Sequence, residues 1–414
     1  MGLTPEQTKL IKATAPILKE QGTNITQVFY KNMLGEHPEL NSIFNTTHQK
    51  TGHQPRALAN SLYAYAEHID DLGALSSDVE LIVNKHASLY VQPQQYAIVG
   101  SFLLEAMKEV LGDALTPEIL DAWTAAYWQL ADLLIDKEGT IYRSADGWTD
   151  WREFRIDKKV PESEEITSFY LKPVDGKPLP SFRPGQYISV QIDVPALEYP
   201  QARQYSLSDK PNPDYYRISV KRESGLQKSD DPSASTPPGH VSNLLHDHYN
   251  EGDVIRVSYP CGDFVLDNTN PSSPIVLLAG GVGLTPLTSM LNTATASDTG
   301  RPIHFIHSVR YAKVRAFKDH VLALQKQYPN LQVTLFNEKP REDEKPGEDY
   351  HFTGMIDLKK MDPEKLFLNN NSTHYYVCGP TPFMLAMAKA LEELGVDRNR
   401  VHMELFGTGG VPKP

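Results

Sequence analysis

The sequence is short of cysteine, of long apolar runs and of positive charge. Only Cys261 and Cys378 occur in 414 residues, too few and too far apart for a disulfide framework or a thiolate-held metal. The longest apolar stretches, Ile275 to Leu278 and the Gly- and Ser-broken run from Val99 to Leu104, fall well below the ~20 residues that cross a bilayer, so no transmembrane segment is expected. Lys plus Arg number 40 against 52 for Asp plus Glu, a net charge of −12, which suits the chain poorly to a phosphate backbone and argues against nucleic-acid binding. The opening MGLTPEQTKLIKATAPIL has no basic stretch leading into an apolar one. It reads as a helix start rather than a signal peptide, and a cytoplasmic location is expected.

What is present is the composition of folded protein, 40% hydrophobic and 22% charged, at a length that accommodates several cores. Three rhythms follow one another. Residues 1–147 read as consecutive amphipathic helices: Thr4-Pro5-Glu6-Gln7 has the residues of a capping box, and Thr116-Pro117-Glu118 opens a helix whose apolar residues Ile119, Leu120, Trp123, Tyr127, Leu130 and Leu134 recur at helical spacing. Residues 148–268 carry short alternating runs (EFRIDKKV, ITSFYLKPV, QYISVQIDV, RQYSLSD, YYRISVKR, DVIRVSYP) between Pro, Gly and Asp turns, the pattern of an antiparallel β-barrel. Residues 269–414 alternate apolar runs (IVLLAG, IHFIHSV, LQVTLFN, HYYVCG) with helical stretches, as a parallel α/β domain of nucleotide-binding type requires. No internal repeat is visible, and the only low-complexity stretch lies in the loop from Leu226 to Pro238, which reads as a solvated excursion.

In the helical third, His86 shares a helix with Ile82, Val83 and Leu89. Alone it reads more readily as a histidine satisfied by a carbonyl than as an iron ligand, and Tyr30, Phe44, Gln54 and Tyr96, taken singly, read as core or surface residues; Glu138 lies further along the chain. All six in this order resemble the globin domain of the flavohaemoglobins. The resemblance implies a haem b held by His86, with Tyr30 late in the second helix, Phe44 at the corner after the third, Gln54 opening the distal helix, Tyr96 on the helix after His86, and Glu138 ending the last helix. It further implies that Tyr30 donates a hydrogen bond to bound O₂ with Gln54 as a second polar group, that Phe44 and Leu58 keep the pocket apolar, and that Tyr96 and Glu138 orient His86 and raise its basicity.

In the β-rich third, Pro184-Gly185-Gln186-Tyr187 precedes Arg203-Gln204-Tyr205-Ser206, and the pair resembles the flavin signature of ferredoxin-reductase-like proteins. A guanidinium at Arg203 can neutralise a pyrophosphate, and Tyr187, Gln204, Tyr205 and Ser206 can pack on or hydrogen-bond the FAD ring system. Gly239, Val241 and Ser242 stand where the family places a second phosphate turn at a helix start.

The α/β third has Gly280, Gly281, Val282, Gly283, Thr285 and Pro286 between a buried strand and a helix, and Cys378-Gly379-Pro380 after a later strand. Both resemble the family's nicotinamide-nucleotide motifs, and Glu404-Leu405-Phe406-Gly407 resembles its ending, in which an aromatic ring shields the flavin. His307, Ser308 and Arg310 follow the second strand, where a cation can accept a 2′-phosphate; NADH is expected, with NADPH open. Together these imply a nitric oxide dioxygenase that moves electrons from NAD(P)H through FAD to haem and oxidises NO to nitrate with O₂. The implied molecule is a monomer, with lipid conceivable in the haem pocket. The alternatives are a flavohaem reductase of a quinone, ferric chelate or peroxide, and an O₂ or NO sensor.

Overall fold

The structure is a computed structural model that describes residues 2–45, 49, 51–225, 237–297 and 299–407. Most of the expected Ser/Asp/Pro excursion, residues 226–236, lies outside the described residues. The chain divides into two compact units, Met1–Arg152 with Ser189–Arg203, and Glu153–Ile188 with Gln204–Pro414.

The first unit is built on helices α1 (Pro5–Glu36), α2 (His53–Glu67), α3 (Ser76–Ala87), α4 (Pro93–Leu111) and α5 (Pro117–Ser144). Thr4 caps α1 as expected: its hydroxyl accepts from Gln7 N at 3.2 Å while Gln7 Oε1 accepts from Thr4 N at 3.0 Å. One expectation fails here. Tyr30 does not lie on a second helix, because α1 runs unbroken for 32 residues with Pro16 inside it. Proline removes one ladder donor, but Ile11, Leu18, Ile25, Phe29 and Met33 bury one side of the helix on either side of Pro16, and that packing carries the helix through.

Helix α2 crosses α1 where Gly22 faces Ala59, with room for a methyl only at 3.3 Å, and Thr26 Oγ1 donates to Pro55 O at 2.8 Å. At the other end of the core Trp123 Nε1 donates to Thr14 Oγ1 at 3.2 Å. Helix α4 starts on a reciprocal Gln92–Gln95 pair with Pro93 in its first turn. Gly100 lets Tyr127 of α5 lie against α4, since a Cβ there would stand 2.5 Å from the Tyr127 ring.

The six expected antiparallel strands are β1 (Arg152–Pro161), β2 (Ile166–Pro173), β3 (Tyr187–Ile192), β4 (Gln201–Ser206), β5 (Tyr216–Lys221) and β6 (Val254–Val257), forming one sheet in the order β4-β3-β6-β1-β2-β5. Helix α6 (His240–Asp247) lies between β5 and β6 in sequence.

The α/β region comprises β7 (Ile275–Gly280), α7 (Leu284–Ala296), β8 (Ile303–Val309), α8 (Lys318–Gln327), β9 (Leu331–Asn337), β10 (Phe352–Thr353), β11 (His374–Cys378), α9 (Thr381–Glu393) and β12 (Val401–Glu404). Its strand order is β10-β9-β8-β7-β11-β12. Strands β7 and β8 are buried along their whole length, as a sheet covered on both faces demands. The order reverses between β7 and β11, and in such sheets a ligand binds outside the carboxyl ends of the strands at that switch point. Two strands were not legible in the sequence: β10 is two residues on an edge, and all four residues of β12 are only half buried.

Two glycines of the helical unit predict opposite signs. Gly100→Ala collides with Tyr127 and should lose about 1–3 kcal/mol in urea unfolding. Gly35→Ala, in the last turn of α1 with nothing within 4 Å of the added methyl, should gain roughly 0.5–1 kcal/mol. Equal effects would show that the α4–α5 contact is not the constraint described.

Candidate functional site

His86 sits in the last turn of α3, just before a reversal in which Leu89 N and Val91 N both donate to His86 O and Tyr90 takes a left-handed φ of 56°. The turn brings α4 back so that three side chains converge. His86 Nδ1 lies 2.9 Å from Glu138 Oε1 and 2.9 Å from the Tyr96 hydroxyl, and Tyr96 donates to the same Glu138 oxygen at 2.5 Å. Glu138 is only 2% exposed. Burial, reinforced by the Glu138 charge, raises the Tyr96 hydroxyl well above its ordinary range, so Tyr96 is the donor and Glu138 the acceptor.

The remaining proton of the network then belongs on His86 Nδ1, which leaves the lone pair on Nε2. Among the described residues Nε2 makes no hydrogen bond, and the ring is about one-third exposed. The arrangement fits an axial metal ligand whose other nitrogen is held by a carboxylate. Tyr127 and Tyr142 brace it, donating to Tyr96 O at 2.5 Å and to Val91 O at 2.8 Å.

Tyr30, on α1, is buried against Phe29 and Phe44, whose rings meet it edge-on at 4.7 and 5.4 Å. Burial raises its hydroxyl well above the usual phenol range, and a hydrogen bond from Gln54 opposes that shift only in part. Tyr30 therefore stays protonated. Its hydroxyl hydrogen has no acceptor among the described residues. Gln54, second residue of α2, keeps its Oε1 buried without a partner. Leu58 and Phe44 are partly buried against the same core. A buried donor beside an orphaned amide oxygen, in apolar surroundings, is a site that fits a small polar ligand.

Strand β4 is buried at both ends, but Arg203, Gln204 and Tyr205 at its centre are partly exposed. Arg203 donates to Ala202 O at 2.7 Å and Gln201 Oε1 at 3.3 Å. Ser206 is buried. Tyr187 on β3 exchanges backbone bonds of 2.8 and 2.9 Å with Cys261. The loop before β3 needs Gly185: its φ is 107°, and a Cβ would fall 2.1 Å from Phe264 O. Gly239 caps α6 with no side-chain bond to the first-turn N–H groups, and Val241 and Ser242 are buried behind it. First-turn N–H groups left uncapped in this way suit an anion such as a phosphate, and a partly exposed guanidinium such as Arg203 is by itself a group that can pair with one.

The two nucleotide motifs of the parallel sheet are brought together. β7 and β11 are neighbours, with Ala279 opposite Cys378. At Gly283 an added Cβ would stand 2.2 Å from Cys378 O, and at Gly379 one would stand 3.0 Å from the Gly280 backbone. Gly283 is thus required because backbone meets backbone, while at Gly379 the Phe383 ring, 2.8 Å from an added Cβ, adds to the backbone crowding. Gly281 takes φ 54° with nothing around it, an open turn that leads through Val282 into α7, with Thr285 and Pro286 buried in its first turn. Cys378 is fully buried, and burial pushes its thiol well up; it is a small packing residue. Pro380 precedes α9. Phe406 is 45% exposed, which removes core packing as the reason for it.

A globin family profile matches residues 27–134, and an oxidoreductase NAD-binding domain profile matches residues 277–389. The flavohaemoprotein of Bordetella pertussis is 51% identical over 99% of this chain and 100% of that protein. The chain belongs to the flavohaemoprotein family. A solved flavohaemoglobin from Malassezia yamatoensis, with bound FAD and haem, superposes with a TM-score of 0.85 at 28% identity, covering 98% of this chain and 100% of that one. The FAD/NAD-binding domain of a nitric oxide dioxygenase from Vibrio cholerae matches 62% of this chain and 99% of its own length, with a TM-score of 0.54 and 31% identity. As in other flavohaemoproteins, a globin is followed by an antiparallel-sheet domain and a parallel-sheet nucleotide domain.

One expectation within this flavohaemoprotein is corrected. His307 is no cation for a 2′-phosphate: it lies inside β8, 1% exposed, and its Nε2–H donates to Gly281 O at 3.0 Å. Burial and the nearby Arg315 guanidinium push its pKa down to about 3. Arg310 is exposed but ion-paired with Glu165. Sequence reading missed Glu165, because nothing local links residues 165 and 310. Tyr127 and Tyr142 were missed too, reading as ordinary core positions.

The neutral histidine has a pH consequence. His307 accepts a proton near pH 6.5 when unfolded but only near 3 when folded, so its contribution to stability is complete above about pH 6.5 and falls as pH drops through that window. The loss is up to about 1.4 kcal/mol per pH unit. His307→Gln, which keeps the donor to Gly281, should flatten this part of the unfolding profile; an unchanged slope between pH 6.5 and 4 would contradict the assignment.

Proposed function

We propose that this flavohaemoprotein is a nitric oxide dioxygenase that uses haem b, FAD and NADH. The reaction converts two NO and two O₂ to two nitrate ions, with NADH giving up two electrons and becoming NAD⁺ and a proton. The observation that carries the reading is the buried Glu138–Tyr96–His86 network. Haem supplies the iron at which O₂ is held and activated, and FAD divides a two-electron donor into one-electron deliveries.

The residues act around those groups. His86 offers Nε2 to the metal, and Glu138 holds the Nδ1 proton and makes the imidazole a stronger donor of electron density, which favours O₂ chemistry over simple carriage. Tyr30, kept protonated by burial, would offer its hydroxyl hydrogen to a small polar ligand in this pocket, with Gln54 as a second polar group and Phe44 and Leu58 as its apolar lining. The Arg203 guanidinium would neutralise phosphate charge of FAD, and the first-turn N–H groups of α6 at Gly239, Val241 and Ser242 are anion donors in their own right. Tyr187, Gln204, Tyr205 and Ser206 hold its ring system. The turns 280–286 and 378–380 would hold the nicotinamide nucleotide, and Phe406, exposed rather than packed in a core, is the aromatic ring that would shield the flavin.

Tyr30→Phe tests the distal assignment. Loss of one hydrogen bond to a buried ligand is worth about 1–3 kcal/mol, so O₂ dissociation should quicken by roughly 5- to 150-fold and NO consumption should fall in parallel. Unchanged O₂ release would refute the role of Tyr30. In the same series His86→Ala should lose haem and keep FAD, whereas Arg203→Ala should lose FAD and keep the haem spectrum.

A further inference from the structure

The carboxyl ends of β8 and β9 carry a cluster that the proposed reaction leaves unexplained. Arg310 follows β8 directly and Arg341 follows β9, and the two segments stay paired past the strands, Glu338 N donating to Val309 O and Lys339 N to Arg310 O, both at 2.9 Å. The Tyr311 ring is near both guanidinium groups, whose centres lie 5.6 Å (Arg310) and 3.7 Å (Arg341) from its centroid. Two guanidinium groups around an aromatic ring, one strand over from the Gly281 turn, form a 2′-phosphate and adenine cradle in all but one respect. Both are already occupied.

Glu165 pairs with Arg310. Glu164 takes both nitrogens of Arg341 at 3.4 and 3.5 Å and accepts from the Tyr311 hydroxyl at 3.2 Å. The two glutamates sit on the β1–β2 loop, which is anchored to this sheet by Glu164 N donating to Lys313 O at 2.9 Å, so they are placed by backbone and not by chance rotamers. Of the neighbouring lysines, Lys339 is exposed and makes no ion pair among the described residues, so the two arginines are the cations that Glu164 and Glu165 occupy. Lys313 pairs with Asp343 at 3.3 Å, and Glu344 accepts from Ala312 N and Asn337 Nδ2 at 2.8 and 2.6 Å.

We propose that Glu164 and Glu165 set nucleotide choice in this chain: by occupying Arg341 and Arg310 they deny a ribose 2′-phosphate its cations and select NADH. The inference rests on the reading that a nicotinamide nucleotide lies over this end of the sheet. A 2′-phosphate brings about two further negative charges to a place where two carboxylates already stand, whereas a 2′-hydroxyl can accept from a guanidinium or donate to a carboxylate without displacing either.

The test uses the full-length, haem- and FAD-loaded protein and the Glu164→Gln/Glu165→Gln double variant. Both positions are partly exposed, so folding should survive; FAD content and circular dichroism check it. The NADPH KM should fall by roughly tenfold, about what one regained charge-assisted contact gives, with NADH turnover changed less than about twofold. Calorimetry with adenosine 2′,5′-bisphosphate gives a readout independent of turnover: the variant should bind it roughly tenfold tighter than wild type, and adding Arg310→Gln and Arg341→Gln should erase the gain. A folded variant with unchanged bisphosphate affinity and NADPH KM would overturn the proposal, as would a wild-type protein that uses NADPH as well as NADH. A wild-type protein whose flavin neither nucleotide reduces would instead bring down the nicotinamide reading underneath, and this inference with it.

Discussion

One buried charge organises the helical unit. Glu138 is almost inaccessible, and a carboxylate in that position must be satisfied or it forfeits several kcal/mol. Its two donors come from different helices, the Tyr96 hydroxyl from α4 and the His86 Nδ1–H from the end of α3. Satisfying the charge therefore does three things at once. It joins three helices, chooses the tautomer of His86, and turns the Nε2 lone pair to where a metal can use it. The braces at Tyr127 and Tyr142, and the glycine at position 100 that admits Tyr127, serve the same geometry from behind.

The reductase part is governed by a different constraint, the close approach of backbones. At Gly185 and Gly283 a side chain would strike main-chain atoms, and at Gly379 it would strike the Phe383 ring and crowd the Gly280 backbone; these positions shape the turns at a strand start and at the two strand ends flanking the switch point. Phosphate-bearing ligands need that kind of surface, with N–H groups uncovered by side chains and helix starts aimed at the anion. The same part uses burial to silence groups that look reactive in a sequence. Cys378 is packed away, and His307 is neutral and spent on a carbonyl.

How much of this was legible in the sequence follows from the range of each interaction. The Thr4 and Thr116 caps, the six alternating strands and the four principal parallel strands depend on neighbours a few residues apart, and their residue types reveal them. The unbroken α1 was not legible because Pro16 is a strong local breaker that long-range packing overrides. The ion pairs of Glu164 and Glu165 with residues near 310 and 341 were not legible either, since they join positions some 145 and 177 residues apart. His86, Tyr96 and Glu138 were named through the family resemblance; taken singly, His86 read as a histidine satisfied by a carbonyl and Tyr96 as a core tyrosine, and the sequence could not show that all three side chains meet at one carboxylate oxygen.

The account stands on electrons from NADH reaching the haem through the flavin. The most direct measurement is an anaerobic NADH titration of the reconstituted protein, following flavin absorbance and the haem Soret band together. The account predicts that the flavin bleaches and the Soret band then shifts to its ferrous position within the same titration. A flavin that bleaches fully while the haem stays ferric would contradict it.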